Sequence, residues 1–168
     1  IGGLVNYGWS GGGDSIKVLG GLVERRDAGE LNEDVLLLNC GLHDIKTDPQ
    51  TLEKQVLIED YEQNLRQIVA LLKAAAVELL WLRTTPCDEA VHNKPGRAFH
   101  RFAADCAAYN GVADRIMDEA GVAMIDLHGF TRQLGSEVYC DHVHFHEPVR
   151  EKQAAYIAGW IACWLDCQ

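Results

Sequence analysis

Nowhere does this chain hold an apolar run of the ~18 residues that would mark a membrane-spanning helix. Positive charge is scarce too. Fifteen Lys and Arg stand against 25 Asp and Glu, a formal net charge of −10, so no broad field exists to draw in nucleic acid or anionic lipid. No signal peptide is visible, and there is no internal repeat or low-complexity segment. The six cysteines, at 40, 87, 106, 140, 163 and 167, form no C-x-x-C pair and are too sparse for a disulfide scaffold. Cys163 and Cys167, one helical turn apart in an apolar stripe, read as buried free thiols. This cysteine usage suits a reducing compartment without excluding export. Gly11-Gly12-Gly13 precedes a helix, but no Lys-Ser/Thr follows, which excludes a phosphate-cradling P-loop.

What is present is a soluble balance, 48% hydrophobic and 24% charged residues over 168 positions. That length suits one domain spanning 1–168. Strand and helix patterns alternate. Residues 1–5 form a short apolar run ended by the turn Asn6-Tyr7-Gly8. Asp14 or Ser15 can cap a helix to about Arg26, with Ile16, Leu19, Leu22 and Val23 on one face. Residues 34–39 (DVLLLN) read as a strand buried on both faces, and 59–75 as an amphipathic helix carrying Tyr61, Leu65, Ile68, Val69 and Leu72. A strand at 77–82, a polar loop at 87–96, and a helix at 98–120 that stops at Gly121 follow. A strand at 122–127 and a helix opened by Pro148 and running to Leu165 complete the pattern. Apolar strands separated by helices predict an α/β fold with a parallel sheet covered on both faces, its sites at the carboxyl ends of the strands.

Those strand exits hold the chemistry. Asp141-His142-Val143-His144 precedes the last helix. Two intervening residues let a tight loop fold the Asp141 carboxylate onto the His144 ring, fixing its tautomer and leaving Nε2 free as a general base. Two other readings stand beside this one: a capping Asp next to a structural His, and a metal site built on His142, His144 and His146. Gly41-Leu42-His43-Asp44 leaves the 34–39 strand. Its glycine allows close backbone approach, and His43 can donate to a developing oxyanion. It reads equally well as a turn in which Asp44 caps the next segment. Gly8 could present a backbone N–H to the same point, although N-x-G is also an ordinary turn.

The order N-x-G, G-x-[N/H]-D, D-x-x-H resembles blocks II, III and V of the SGNH (GDSL-like) hydrolase superfamily, over nearly the whole chain. The stretches LNCGLHDIK (38–46), YEQNL (61–65), WLRTTP (81–86) and VHF (143–145) resemble one bacterial branch of it. The resemblance implies a three-layer α/β/α sandwich of flavodoxin-like type and a two-step, esterase-type acyl transfer needing no metal or organic cofactor. It also implies roles: His144 as base, Asp141 as its orienter, Gly8 and His43 as oxyanion hole. Where the family usually has Asn, this chain has His43.

Gly13-Asp14-Ser15 looks like the family's nucleophile block but stands in the wrong place. That block should follow an apolar strand directly and precede the N-x-G turn by a whole βαβ unit, roughly 30 residues. Only one helix and one strand separate Ser15 from Gly41. The expectation is therefore that Ser15 caps a helix, and that the first strand, first helix and serine lie upstream of Ile1. Small acyl esters or acetylated sugars are the expected substrates. An inactive domain that binds a ligand in the same cleft is the alternative. Oligomeric state and compartment are not legible.

Overall fold

The computed structural model describes residues 13–167. The anticipated strand at 1–5 and the Gly8 turn lie outside the described residues. From Gly13 onward the elements are α1 (Ser15–Asp27), β1 (Val35–Leu38), α2 (Ile58–Ala74), β2 (Glu78–Leu82), α3 (Glu89–His92), α4 (Ala103–Ala120), β3 (Ala123–Ile125), α5 (Leu127–Gln133) and α6 (Glu147–Asp166).

The described strands form a parallel sheet in the order β1-β2-β3. Leu38 lies opposite Trp81, and Trp81 opposite Met124. Crossovers of one hand between neighbouring parallel strands put their helices on the same face, and α2 and α4 do pack against each other there. The core forms where they meet the sheet. Tyr61, Leu65 and Ile68 from α2, Trp81 from β2 and Met117 from α4 are fully buried, each stabilising by about 1.5–3 kcal/mol. The α2 stripe is as read from its spacing, except that Val69 is only partly buried and Leu71 joins the core.

Several expectations need correction. β1 is not buried on both faces: Val35 and Leu37 are each 39% exposed, because among the described residues β1 pairs with β2 alone. Ile16 is 56% exposed, and Val18 takes its place beside Leu22 in the core. The helix read from Ala98 begins at Ala103 and passes Gly111 unbroken. It ends at Gly121, whose φ of 71° is the left-handed cap glycine tolerates. The polar loop at 87–96 contains α3, capped by Asp88. The strand read to Leu127 ends at Ile125, because the Asp126 side chain accepts the Gly129 N–H and starts α5. Cys163 and Cys167 are exposed thiols. α6 docks through its first half, where Gln153 donates to Thr131 at 2.9 Å and Tyr156 stacks on Phe130, and its buried residues are Val149 and Gln153.

Candidate active site at the strand exits

The 138–146 loop folds on itself before α6 begins. Tyr139 and Phe145 pair as an antiparallel bridge with stacked rings, and the Cys140 N–H reaches the His144 carbonyl at 2.8 Å. The Tyr139 hydroxyl donates to the Pro86 carbonyl at 2.6 Å, pinning this loop to the exit of β2. At the tip, Asp141 Oδ1 accepts the N–H groups of Val143 (2.8 Å) and His144 (2.7 Å), and Oδ2 accepts His144 Nδ1–H at 2.6 Å. The backbone N–H of His144, its imidazole and the Val143 N–H hold the Asp141 carboxyl well below the usual carboxylate range. Asp141 is thus ionised wherever the protein is folded at working pH. The tautomer follows: Nδ1 carries the proton, and Nε2 faces outward from a largely exposed ring.

The Gly41–Asp44 turn is built by different means. Gly41 adopts φ 138°, and a Cβ there would lie 2.7 Å from Thr84 Oγ1. The Thr84 hydroxyl donates to the Cys40 carbonyl at 3.0 Å, and Tyr61 donates to the same oxygen. The exits of β1 and β2 are therefore stitched directly together. Asp44 does not cap the segment after it. Its Oδ1 accepts the Ser15 N–H at 2.8 Å, so the turn is tied to the start of α1, and burial pushes its carboxyl upward against the pull of the Ser15 bonds. His43 is half-buried, and burial first, then Lys46 and Arg101, push its imidazole below the ordinary value. It is neutral at pH 7 and keeps one N–H to donate.

Ser15 itself is the first residue of α1, capped by Asp14, whose carboxylate accepts the Lys17 N–H at 3.0 Å. It is fully buried, and its hydroxyl accepts from Asn64 at 3.0 Å. No histidine is among its hydrogen-bond partners in the described residues.

Two residues that sequence patterning did not single out join the halves of the site. His92 and Arg101 are both buried. Arg101 Nε donates to the Leu42 carbonyl at 2.6 Å, inside the Gly41–Asp44 turn, and Nη1 donates to His92 Nε2 at 2.7 Å. His92 Nδ1–H in turn meets Asn93 Oδ1 at 3.0 Å. The far face of the His92 ring lies 5.3 Å from the His142 ring, beside Asp141. Paired backbone bonds between Thr47 and His100 carry Arg101 to this position. The only sequence signal for His92 was its polarity within the loop read at 87–96, and Arg101 fell inside the helix read from Ala98, two residues short of where α4 begins.

His142, His144 and His146 do not gather. The first two rings are 6.2 Å apart at their centroids, and His146 caps α6. Among the described residues no group of three His, Cys, Asp or Glu side chains stands where it could hold a metal ion. None of the described helices is long and apolar enough to cross a membrane.

No family model matches the chain, and no curated protein matches it in sequence. Solved structures do match in shape. A lipase/acylhydrolase of Enterococcus faecalis superposes with a TM-score of 0.66 at 16% identity, over 88% of this chain and 70% of that one. A GDSL-like lipase of Bacteroides thetaiotaomicron gives 0.68 at 14% identity, over 89% and 71%. An acetylxylan esterase of Geobacillus stearothermophilus gives 0.66 at 20% identity, over 91% and 69%. The strand order, the crossover helices and these superpositions together give the chain the α/β/α fold of the SGNH, GDSL-like hydrolases.

Proposed function

We propose that the protein, as one domain spanning 1–168, hydrolyses small acyl esters or acetylated carbohydrates by serine acyl transfer. The observation that carries this reading is the 2.6 Å Asp141–His144 bond, which leaves Nε2 free in the tautomer a general base requires. A serine attacks the ester carbonyl while His144 Nε2 takes its proton. The oxyanion is held by the Gly8 N–H and by His43, and the C–O bond to the leaving alcohol breaks as His144 returns the proton. Water then repeats the sequence on the acyl-enzyme and releases the acid. No metal or organic cofactor takes part. The acetylxylan esterase among the neighbours in shape supports an acetylated sugar as substrate.

The nucleophile in this reading is a serine upstream of Ile1, because the sealed, hydrogen-bonded position of Ser15 suits a helix start and not an attacking group. Labelling of the natural full-length protein with a fluorophosphonate, followed by peptide mass mapping, tests it. The expected adduct lies on a serine other than Ser15, and Ser15→Ala leaves p-nitrophenyl acetate turnover within about twofold, as for a residue outside the chemistry. An adduct on Ser15 would reverse the assignment, and no adduct with no turnover would favour a ligand-binding domain.

The oxyanion role of His43 has its own test. His43→Ala should lower kcat by about 10²–10³, the cost of one oxyanion donor. His43→Asn, which restores an N–H donor, should recover most of it. Because the His43 imidazole is held below its ordinary value, the Asn variant should share the wild-type pH profile above pH 6.5. A His43→Ala kcat equal to wild type would remove His43 from the mechanism.

A further inference from the structure

Arg101 is the one buried Lys or Arg among the described residues, at 3% exposure, and it has no carboxylate partner there. Other arginines of this acidic chain, such as Arg66, Arg83 and Arg115, sit in ion pairs with Asp or Glu. Arg101 instead spends Nε on the Leu42 carbonyl and Nη1 on His92, which leaves Nη2 without an acceptor among the described residues. That nitrogen is not sealed in: the fully enclosed, unsatisfied side-chain atoms among the described residues are Asp44 Oδ2 and Trp81 Nε1. Lys46 Nζ lies 4.7 Å from the centre of the Phe99 ring, and the Arg101 guanidinium lies 4.9 Å from the same centre. Two cations thus share one aromatic ring, with no carboxylate at ion-pair distance from either among the described residues.

The surroundings do not neutralise them. Among the described residues no Asp or Glu bears appreciably on the Arg101 guanidinium, whose charged form is disfavoured chiefly by burial. Asp14 acts on Lys46 at longer range, but its oxygens are taken by the Lys17 N–H and by Gln55. Arg97 adds positive potential at His92 and His142. In a protein of net charge −10 this is a local positive patch. A buried guanidinium without a counter-charge is strongly unfavourable unless an anion completes it. A planar fork with a free N–H edge suits a carboxylate.

The patch adjoins the candidate oxyanion turn. The carbonyl Arg101 holds belongs to the peptide that joins Leu42 to His43, so a carboxylate there would sit within one short acyl chain or one sugar ring of the candidate oxyanion position. We propose that Arg101 and Lys46 form a subsite for a carboxylate borne by the substrate, and that the natural esters are anionic ones. This rests on the ester-hydrolase reading for its biological sense, but binding can be measured apart from turnover.

The experiment is titration calorimetry of the natural full-length protein with succinate and with neutral succinamide at low salt. Succinate should bind at least tenfold more tightly, and its affinity should fall severalfold when salt is raised from 50 to 500 mM. Lys46→Gln, at a half-buried position, should weaken succinate at least fivefold and leave succinamide unchanged. Arg101→Gln should abolish the preference, with circular dichroism showing whether it still folds. Equal affinity for the two ligands, or a succinate affinity indifferent to Lys46→Gln, would overturn the proposal. Succinate binding without any ester turnover would retain the subsite and reject the hydrolase. Turnover without the preference would do the reverse.

Discussion

His144→Ala is expected to lower kcat for p-nitrophenyl acetate by on the order of 10⁶-fold in the natural full-length protein, the loss typical when a triad base is removed. The geometry explains the size. With no imidazole at Nε2 the serine proton has no acceptor, and only binding and oxyanion stabilisation remain. Asp141→Asn should cost about 10⁴-fold, because the amide can donate to Nδ1 and so favour the wrong tautomer. The two variants should keep near-native folding, since Asp141 and His144 are both exposed. Asp141 has its pKa depressed in the folded chain. Its contribution to stability is therefore fully present above the ordinary carboxylate range and lost only as pH falls through the depressed native value. Protonation of Asp141 therefore contributes no acid limb to kcat/KM near neutral pH. Steady-state kinetics on the variants from pH 5 to 9 checks this, and a His144→Ala enzyme with more than about a hundredth of wild-type turnover would exclude His144 as the base.

Gly41→Ala should be the most damaging small substitution in the fold, destabilising by about 2–4 kcal/mol. Two penalties coincide. The backbone sits at φ 138°, a conformation L residues rarely adopt, and the new methyl would meet Thr84 Oγ1 at 2.7 Å. Thr84 cannot simply rotate away. Its hydroxyl bonds the Cys40 carbonyl and accepts from Asn39, while its backbone N–H and carbonyl pair with Asn110. Displacing it would loosen the join between the exits of β1 and β2. For a chain of this size the midpoint should fall by roughly 5–15 °C, measurable by scanning calorimetry, with His43 mispositioned in whatever still folds. Thr84→Ala, which removes the Oγ1 that the new methyl would meet, should partly relieve Gly41→Ala in a double-mutant cycle, because neighbouring sites couple.

The parts of this protein that were readable from its residues are those whose geometry is local. The D-x-x-H spacing closes on itself through the Asx-type bonds of Asp141, so three intervening peptide bonds sufficed to predict the His144 tautomer. The α2 stripe, the Gly121 stop and the Pro148 start are likewise written in spacings of four residues or in single φ requirements. Ser15 was readable as part of a helix start from its distance to Gly41, although Asp14 makes the cap. α5 was missed because Leu127 continued an apolar run, and only the Asp126 cap breaks it.

Long-range pairing decided the rest. Arg101 reaches Leu42 across 59 positions because Thr47 and His100 exchange backbone bonds. His92 meets His142 because Tyr139 ties its loop to Pro86. Asp44 accepts the Ser15 N–H at the start of α1, 29 residues earlier, and does not cap the segment that follows it. The same holds for exposure: Cys163, Cys167, Val35 and Leu37 look like core in sequence, but what covers a surface depends on which elements lie against it. The amino-acid sequence by itself determined the fold class and the Asp141–His144 contact, since periodicity and a three-residue loop act within one segment. Tertiary structure alone brought a buried, unpaired guanidinium beside the candidate oxyanion turn, because that contact joins segments whose approach no local pattern encodes.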